Sequence, residues 1–343
     1  MKMSEQKEAQ ACAGRCGAEK SNVMNPFVDW SFKRLFGTER NKSNLIGFLN
    51  MILESELDSK IVDIQYLNNE NISLDSDGRE CVFDILCKDE SNTRFLIEVQ
   101  NAGLRNIRNR MLYYTCRLID QMGKIGDNWN YNIDKVYSIC LMNFTYEKDP
   151  VLRRDFLVCE PNTNNILTGS FHIIMLQLPC LQAKSIEECT ELYEKLLFLL
   201  LQMKSGMKTI EELKREVYEH GLNEEIRETF LNVLDEADLA SLSKENKALY
   251  EAKLKSYRDN RACLDYAIEE GILQGIAKGE AIGMEKGMEK GMEKGMEKGM
   301  KEGLEKGMEK RNIEIAKSMK SDGISFEIIE KYTGISQSEI EKL

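Results

Sequence analysis

Histidine and proline are scarce in this chain, and long apolar runs are missing. The 343 residues include only two histidines, His172 and His220, which argues against a histidine-metal nuclease and against a histidine-based hydrolase. The four prolines, at positions 26, 150, 161 and 179, fall outside every predicted helix and strand. No run of about 18 apolar residues occurs, so the sequence predicts no membrane span.

Positive charge is also in short supply, and the formal net charge is −11. Residues 1–180 carry 21 lysines and arginines against 24 acidic residues, and residues 181–343 carry 26 against 34. The global field therefore disfavours contact with polyanions. Any binding of phosphate has to come from a local cluster of basic side chains.

The cysteines and the N-terminus indicate a cellular compartment. Ten cysteines are scattered through predicted strands and helices, which is typical of reduced thiols in a cytoplasmic protein. The N-terminus is polar and has no apolar signal core, and residues 1–24 are predicted to be disordered. The length allows one sizeable domain with an appendage, or two smaller domains.

Two runs of alternating apolar residues predict a β-hairpin. The runs are Cys81–Cys87 and Thr93–Gln100, and the polar residues between them have turn chemistry. If the turn centres on Ser91, Asp84 and Glu98 lie directly opposite each other. The hairpin therefore predicts a pair of facing carboxylates.

Alternation of side chains gives this hairpin two faces. One face is apolar and is expected to be core: Phe83, Ile85, Cys87, Phe95, Ile97 and Val99. The other carries Val82, Asp84, Leu86, Leu96, Glu98 and Gln100. Facing residues have Cβ atoms about 4.5–5.5 Å apart, so the two carboxylates repel each other. A cation such as Mg²⁺, typically held by one or two carboxylates, would compensate. Alternatively, both acids are solvated gatekeepers on an exposed face, and spacing alone leaves both interpretations open.

Further motifs surround the hairpin in a fixed order. They are Asp29–Gly37, Asn41 and Lys42 leading into Leu45–Asn50, Phe83–Ile85, Ile97–Gln100 and Arg110–Tyr114. With these motifs, the stretch from Asp29 to about Leu178 resembles the PD-(D/E)xK nuclease family transposases, the Rpn-type recombination-promoting nucleases. The resemblance implies a DNA endonuclease with a restriction-endonuclease-like core that depends on Mg²⁺ or Mn²⁺.

The resemblance also implies residue roles. Asp84 matches the first metal-binding carboxylate of the family and Glu98 the second. Gln100 stands where the wider superfamily has a lysine, and its neutral amide can orient water but cannot stabilise negative charge as an ammonium does. Asp29 and Lys33, one helical turn apart, are candidates for an accessory carboxylate and a migrated cation, or for a surface ion pair.

The helix predicted after Gln100 is the main candidate for DNA contact. Its basic and aromatic candidates are Arg105, Arg108, Arg110, Tyr114 and Arg117. Arginine and tyrosine together suit contacts to phosphate and sugar. The alternative is a solvated helix face with aromatic packing against the sheet. A second basic group lies near the first helix, at Lys33, Arg34, Arg40 and Lys42.

The order of predicted elements indicates an α/β fold with a mixed sheet flanked by helices, followed by an α-helical C-terminal region. The nuclease-like domain is predicted over residues 25–180. Its predicted helices are Phe27–Phe36, Ser43–Glu54 and Leu104–Met122, and its strands are Ile61–Leu67, Cys81–Cys87, Thr93–Gln100, Lys135–Phe144 and Phe171–Leu178. Residues 185–270 are predicted to form a small helical domain, which begins with a capping box at Ser185 and Glu188.

A glycine repeat follows over residues 271–311. Glycine recurs at every fourth position from Gly271 to Gly307, ten times in all. Ten glycines cost an isolated helix about 8–10 kcal/mol relative to alanine, so the repeat is interpreted as a solvated spacer or as an arm for self-association. Residues 312–343 are predicted to be a short helical hairpin for packing or dimerisation, broken at Gly323 and Gly334.

The sequence therefore supports two hypotheses. The first is a Mg²⁺-dependent endonuclease that hydrolyses phosphodiester bonds in DNA, with Asp84 and Glu98 on the metal and a link to recombination or mobile elements. The alternative is a catalytically weak DNA- or protein-interaction module that keeps the nuclease fold. Both hypotheses place the chain in the cytoplasm without membrane contact. DNA is the expected partner, and the C-terminal region is suited to homo-oligomers.

Overall fold

A computed structural model describes residues 22–67, 83–103, 106–123, 130–146 and 150–343. The chain divides into two compact units, Met1–Leu264 and Asp265–Leu343. The disorder predicted for the N-terminus falls almost wholly outside the described residues. None of the helices in the described part is both long enough and apolar enough to cross a membrane.

The first unit contains a six-stranded mixed sheet. Its strands are β1 (Ile64–Tyr66), β2 (Ile85–Asp89), β3 (Arg94–Gln100), β4 (Val136–Met142), β5 (Arg153–Leu157) and β6 (Phe171–Gln177). They lie in the order β1-β2-β3-β4-β6-β5. The central strands β3, β4 and β6 run parallel, and the outer pairs are antiparallel. The predicted fold class is confirmed.

Strand β4, which the sequence predicted, and strand β5, which it did not, differ in burial. Every residue of β4 is buried, as expected of a continuous apolar run in a central strand. Strand β5 was not predicted. It lies at the sheet edge and none of its residues is fully buried, so its sequence, Arg-Arg-Asp-Phe-Leu, lacks a strong apolar signal.

Helices cover both faces of the sheet. In the first unit they are α1 (Asp29–Phe36), α2 (Lys42–Ile52), α3 (Ile107–Asp120), α4 (Leu192–Ser205), α5 (Ile210–Glu219) and α6 (Glu224–Ala237). One core cluster joins α1, α2 and α4–α6 to one face. A second cluster joins α3 to the other face through Ile107, Met111 and Leu118. The face that carries Leu86, Leu96 and Glu98 is therefore covered, and the exposed face of the gatekeeper interpretation is not found.

The region after residue 185 differs from the prediction in two respects. Residues 186–188 form only a short 3₁₀ turn, and the Ser185 side chain does not cap it. Helices α4–α6 share the core cluster of the sheet and form no separate core. Local capping patterns could not show this, because the packing of α4 and α6 on α2 is a long-range contact.

The last helices are α7 (Lys244–Ser321), α8 (Phe326–Thr333) and α9 (Gln337–Lys342). The ten repeat glycines all lie inside α7, next to open space. In the second unit, Ala316, Ile329 and Ile340 form a small core. Gly323 and Gly334 adopt left-handed conformations, with φ of 78° and 71°, at the predicted breaks. The role of the repeat as spacer or self-association arm stays a prediction.

Candidate active site

The hairpin of β2 and β3 has the register that a turn centred on Ser91 requires. Ile85 pairs with Ile97, and Leu86 pairs with Leu96. One step further along the same register, Asp84 faces Glu98. The turn is held by Asp89, whose carboxylate accepts a hydrogen bond of 2.8 Å from the Thr93 backbone N–H.

Asp84 immediately precedes β2 and is held beside β3. Its Oδ2 accepts a hydrogen bond of 2.7 Å from the Val99 backbone N–H. Its Oδ1 lies 3.8 Å from the Lys33 Nζ. About a fifth of the Asp84 side chain is exposed, at 19%, so one carboxylate oxygen remains near an opening while the other is tied to the backbone.

Glu98 is almost completely buried, with 1% of the residue exposed. Its Oε2 accepts hydrogen bonds from Gln100 Nε2 at 3.0 Å and from Arg110 at 3.3 Å. Its Oε1 is buried and has no hydrogen-bond partner among the described residues. A buried carboxylate oxygen without a partner is costly, so Oε1 of Glu98 is a candidate atom for binding a cation.

The ionisation of the two carboxylates reflects their burial and proximity. Burial raises the pKa of Asp84, and the nearby Asp29 carboxylate adds to this effect. Burial likewise raises the pKa of Glu98, and repulsion from Asp84 raises it further, although Arg110 and Gln100 oppose the shift. The protein alone thus stabilises two negative charges poorly at this position.

Helix α1 brings a cation to this pair. Lys33 Nζ lies 2.8 Å from Asp29 Oδ1, one turn earlier on α1, and also approaches Asp84. Burial disfavours the charged form of Lys33, but the hydrogen bond to Asp29 and the fields of Asp84 and Glu98 outweigh it and raise the lysine pKa. The Asp29–Lys33 ion pair therefore lies next to the carboxylate pair, and the accessory roles of the two residues stay a prediction.

The predicted DNA-binding residues of α3 take different positions. Arg110 reaches into the site, contacts Glu98 and donates through Nε to the Tyr114 hydroxyl at 3.0 Å. The Arg108 guanidinium lies over the rings of Tyr146 and Phe156, at 5.1 and 5.4 Å from their centroids. Much of this set thus packs against the protein itself.

The other members of the set are placed as follows. Arg117 lies 3.6 Å from Asp120 and is 22% exposed. Tyr114 packs edge-on against Phe83, with centroids 4.9 Å apart. Arg105 lies outside the described residues. The role of α3 in DNA contact stays a prediction.

The donor set fits a divalent metal held by few protein ligands. No cluster of three or more His, Cys, Asp or Glu side chains that could hold a metal is found within the described ranges. Mg²⁺, however, typically uses one or two carboxylates and keeps several waters, so a pair suffices. A cation bound by the pair would offset the repulsion between the two acids and would give the Glu98 Oε1 atom a partner.

The first turns of α7 lie opposite two of the predicted site residues, Asp29 and Gln100, and no sequence motif predicted this. A cavity of about 390 Å³ is lined by Asp29, Gln100 and Asn101 on one side and by Lys253, Asn260 and Arg261 of α7 on the other. A signal was present in the composition, because residues 244–264 carry six basic and three acidic side chains within an acidic half. Averaging charge over residues 181–343 hides this segment.

A mixed sheet with parallel central strands, flanked by helices and carrying a carboxylate pair on a hairpin, is consistent with a restriction-endonuclease-like fold. The family model described as PD-(D/E)XK nuclease family transposase matches residues 26–267, and the chain belongs to this family. Searches among curated proteins and among solved structures gave no match. The resemblance seen in the motifs is confirmed, and the match extends beyond residue 178 into α7.

Proposed function

We propose that this protein is a metal-dependent DNA endonuclease that hydrolyses phosphodiester bonds at Asp84 and Glu98. The observation that carries the proposal is the buried, partnerless Oε1 of Glu98, which lies opposite a second raised-pKa carboxylate. Most buried carboxylate oxygens in proteins accept a hydrogen bond, so Oε1 is an atom that a bound cation could occupy. Membership of a nuclease family supports the same conclusion.

Asp84 and Glu98 would hold Mg²⁺ or Mn²⁺. When bound, such an ion polarises the scissile phosphate and lowers the pKa of a bound water. The surrounding residues orient the pair. Val99 fixes Asp84 through its backbone N–H, while Gln100 and Arg110 hold Glu98 Oε2 and leave Oε1 available.

Lys33 compensates for the neutral Gln100 in this proposal. Its ammonium lies 3.8 Å from Asp84 Oδ1 and stays protonated because the surrounding acids raise its pKa. A cation at this position can stabilise the negative charge that develops on the phosphate in the transition state. Gln100 then orients Glu98, and Asp29 keeps the Lys33 side chain directed at the site.

Incubation of the full-length protein with supercoiled plasmid tests the proposal. A circular substrate has no ends, so any nicked or linear product shows endonuclease action. We expect product with Mg²⁺ or Mn²⁺, no product with EDTA, and no product from Asp84→Asn under any condition. The matched control is Glu293→Gln, which makes a carboxylate-to-amide change on an exposed part of α7 and should cleave like the wild type.

The binding-module alternative gives a different result in the same assay. A protein that retards the plasmid in a gel, but leaves it supercoiled with either metal, would be an interaction module and would contradict the proposal. Equal cleavage by wild type and Asp84→Asn would also contradict it, because the activity would then reside elsewhere or in a contaminant.

A further inference from the structure

The first turns of α7 form a basic segment that is anchored to the core. Residues 244–264 have a formal charge of +3, from six basic and three acidic side chains. Tyr250 is buried in the core cluster, and its hydroxyl accepts a hydrogen bond of 3.0 Å from the Asn25 backbone N–H. Leu254 packs against the same cluster. The basic side chains of this segment are therefore held along a defined side of the first unit.

Two cavities flank this segment. The smaller, of about 390 Å³, contains the active-site residues Asp29 and Gln100 together with Lys253 and Arg261. The larger, of about 960 Å³, is lined by several basic residues: Lys204, Lys247, Lys255, Arg258 and Arg261. Tyr257 and Arg261 line both cavities. The two cavities thus share a mainly basic lining, in which Glu251 and Asp259 of the larger cavity are the acidic exceptions beside Asp29 of the smaller one.

Lys204, at the end of α4, connects the two cavities through polar contacts. Its Nζ donates to Asn143 Oδ1 at 2.6 Å, and Asn143 Nδ2 donates to Asn101 Oδ1 at 2.9 Å. Burial lowers the pKa of Lys204, and the nearby charge of Arg261 lowers it further. Two cations held close together by the fold repel each other, and an anion bound beside them relieves the repulsion.

We propose that Lys204, Lys253, Arg258 and Arg261, here called the α7 groove, bind the DNA backbone phosphates that flank the scissile bond. The choice of DNA as ligand rests on the proposed nuclease function. Lys253 and Arg261 are eight residues apart, about 12 Å along the helix axis, which is the axial span of roughly three to four phosphates of one strand. Gln100, which lines the smaller cavity, donates a hydrogen bond to Glu98, so DNA bound in the groove would lie next to a residue that contacts the carboxylate pair.

Binding of a labelled DNA duplex to the full-length protein in EDTA tests the groove without cleavage. The groove variant is Lys253→Gln combined with Arg261→Gln, two exposed positions that are not expected to affect folding. If each side chain contacts one phosphate, the log–log salt slope falls by about 1.8, and binding at 0.1 M salt weakens by about 60-fold. The matched control, Lys290→Gln with Lys294→Gln on exposed repeat positions, removes the same charge and should keep the wild-type slope.

Several outcomes would overturn the proposal. The first is a groove variant that binds with wild-type affinity and salt slope. The second is a control variant that loses as much affinity as the groove variant, because net charge would then be the cause of the loss. Loss of binding in Arg117→Gln, with normal binding by the groove variant, would place the DNA on α3. Tighter binding of a matched RNA duplex through the same two residues would overturn the choice of DNA.

The test separates this inference from the proposed function. Protein that binds duplex through the groove but never cuts plasmid supports the groove and contradicts the nuclease. Protein that cuts plasmid at Asp84 and Glu98, while the groove variant binds duplex normally, contradicts the groove alone. Wild-type protein that fails to bind duplex in EDTA contradicts the groove directly.

Discussion

Replacement of Glu98 by glutamine should stabilise the metal-free protein at alkaline pH while removing its activity. Glu98 is buried and its pKa is raised by burial and by repulsion from Asp84. Above the unfolded pKa of about 4.3 and up to the raised pKa, the folded protein binds more protons than the unfolded chain. The free energy of unfolding of the wild type therefore falls as pH rises through this window. Glutamine does not titrate, so Glu98→Gln should not show this fall.

The magnitude follows from linkage. A carboxylate that is ionised in the unfolded chain but protonated in the folded protein lowers the free energy of unfolding by about 1.4 kcal/mol per pH unit. Between pH 6 and pH 8 the wild type should therefore lose up to about 3 kcal/mol more stability than Glu98→Gln. Loss of the ion pair to Arg110 should subtract little. That side chain is 30% exposed, and it keeps its hydrogen bond to Tyr114.

Urea unfolding in EDTA at pH 6 and pH 8 measures this difference. The matched control is Glu293→Gln, an exposed position that should show the wild-type pH dependence. The reasoning is refuted if Glu98→Gln and wild type lose the same stability between the two pH values, or if the variant is the less stable protein at pH 8. Either result would mean that the folded protein already satisfies the Glu98 carboxylate.

Three other changes probe the site and the repeat. Lys33→Gln should slow plasmid cleavage by about 10²–10³-fold, the usual cost of losing a group that stabilises transition-state charge, and an unchanged rate would exclude Lys33 from catalysis. Gln100→Lys should keep or raise the cleavage rate and should partly rescue Lys33→Gln; complete loss in a folded variant would show that the amide has a role that a cation cannot fill. Deletion of residues 271–311 should leave duplex binding per active site unchanged, and light scattering should show a lower mass if the repeat self-associates. Lost binding at unchanged mass would mean that the repeat itself contacts DNA.

Turn residues and apolar runs in the sequence were enough to predict most of the strands of the sheet. The hairpin register followed from a turn symmetric about Ser91, and β4 followed from an unbroken apolar run that only a central strand can bury. The edge strand β5 was not predicted, because a strand with one solvated side and arginine at its start has no distinctive alternation of apolar residues. The helical region after residue 185 looked independent, because its apolar faces carry no information about which surface they pack on.

The candidate active site was only partly predictable from the sequence. Spacing predicted that Asp84 faces Glu98 and that Asp29 and Lys33 share a helix face. Placing α1 next to the hairpin, however, requires long-range packing. The burial of Glu98 depends on α3 covering the second face of the sheet, and the same packing brings Arg110 to Glu98. The DNA contact predicted for Arg110 stays a prediction. Glu98→Gln therefore tests the site more cleanly than Glu98→Ala, which would leave a void in a covered face.

Single-turnover cleavage of a labelled duplex by wild type and Glu98→Gln, over a range of Mg²⁺ concentrations, tests the central claim most directly. The account predicts a wild-type rate that rises with Mg²⁺ to saturation. It predicts no detectable cleavage by Glu98→Gln at any Mg²⁺ concentration, although this variant binds the duplex in EDTA as wild type does. Saturable, Mg²⁺-dependent cleavage by Glu98→Gln at the wild-type rate would contradict the assignment of Asp84 and Glu98 as the hydrolytic site.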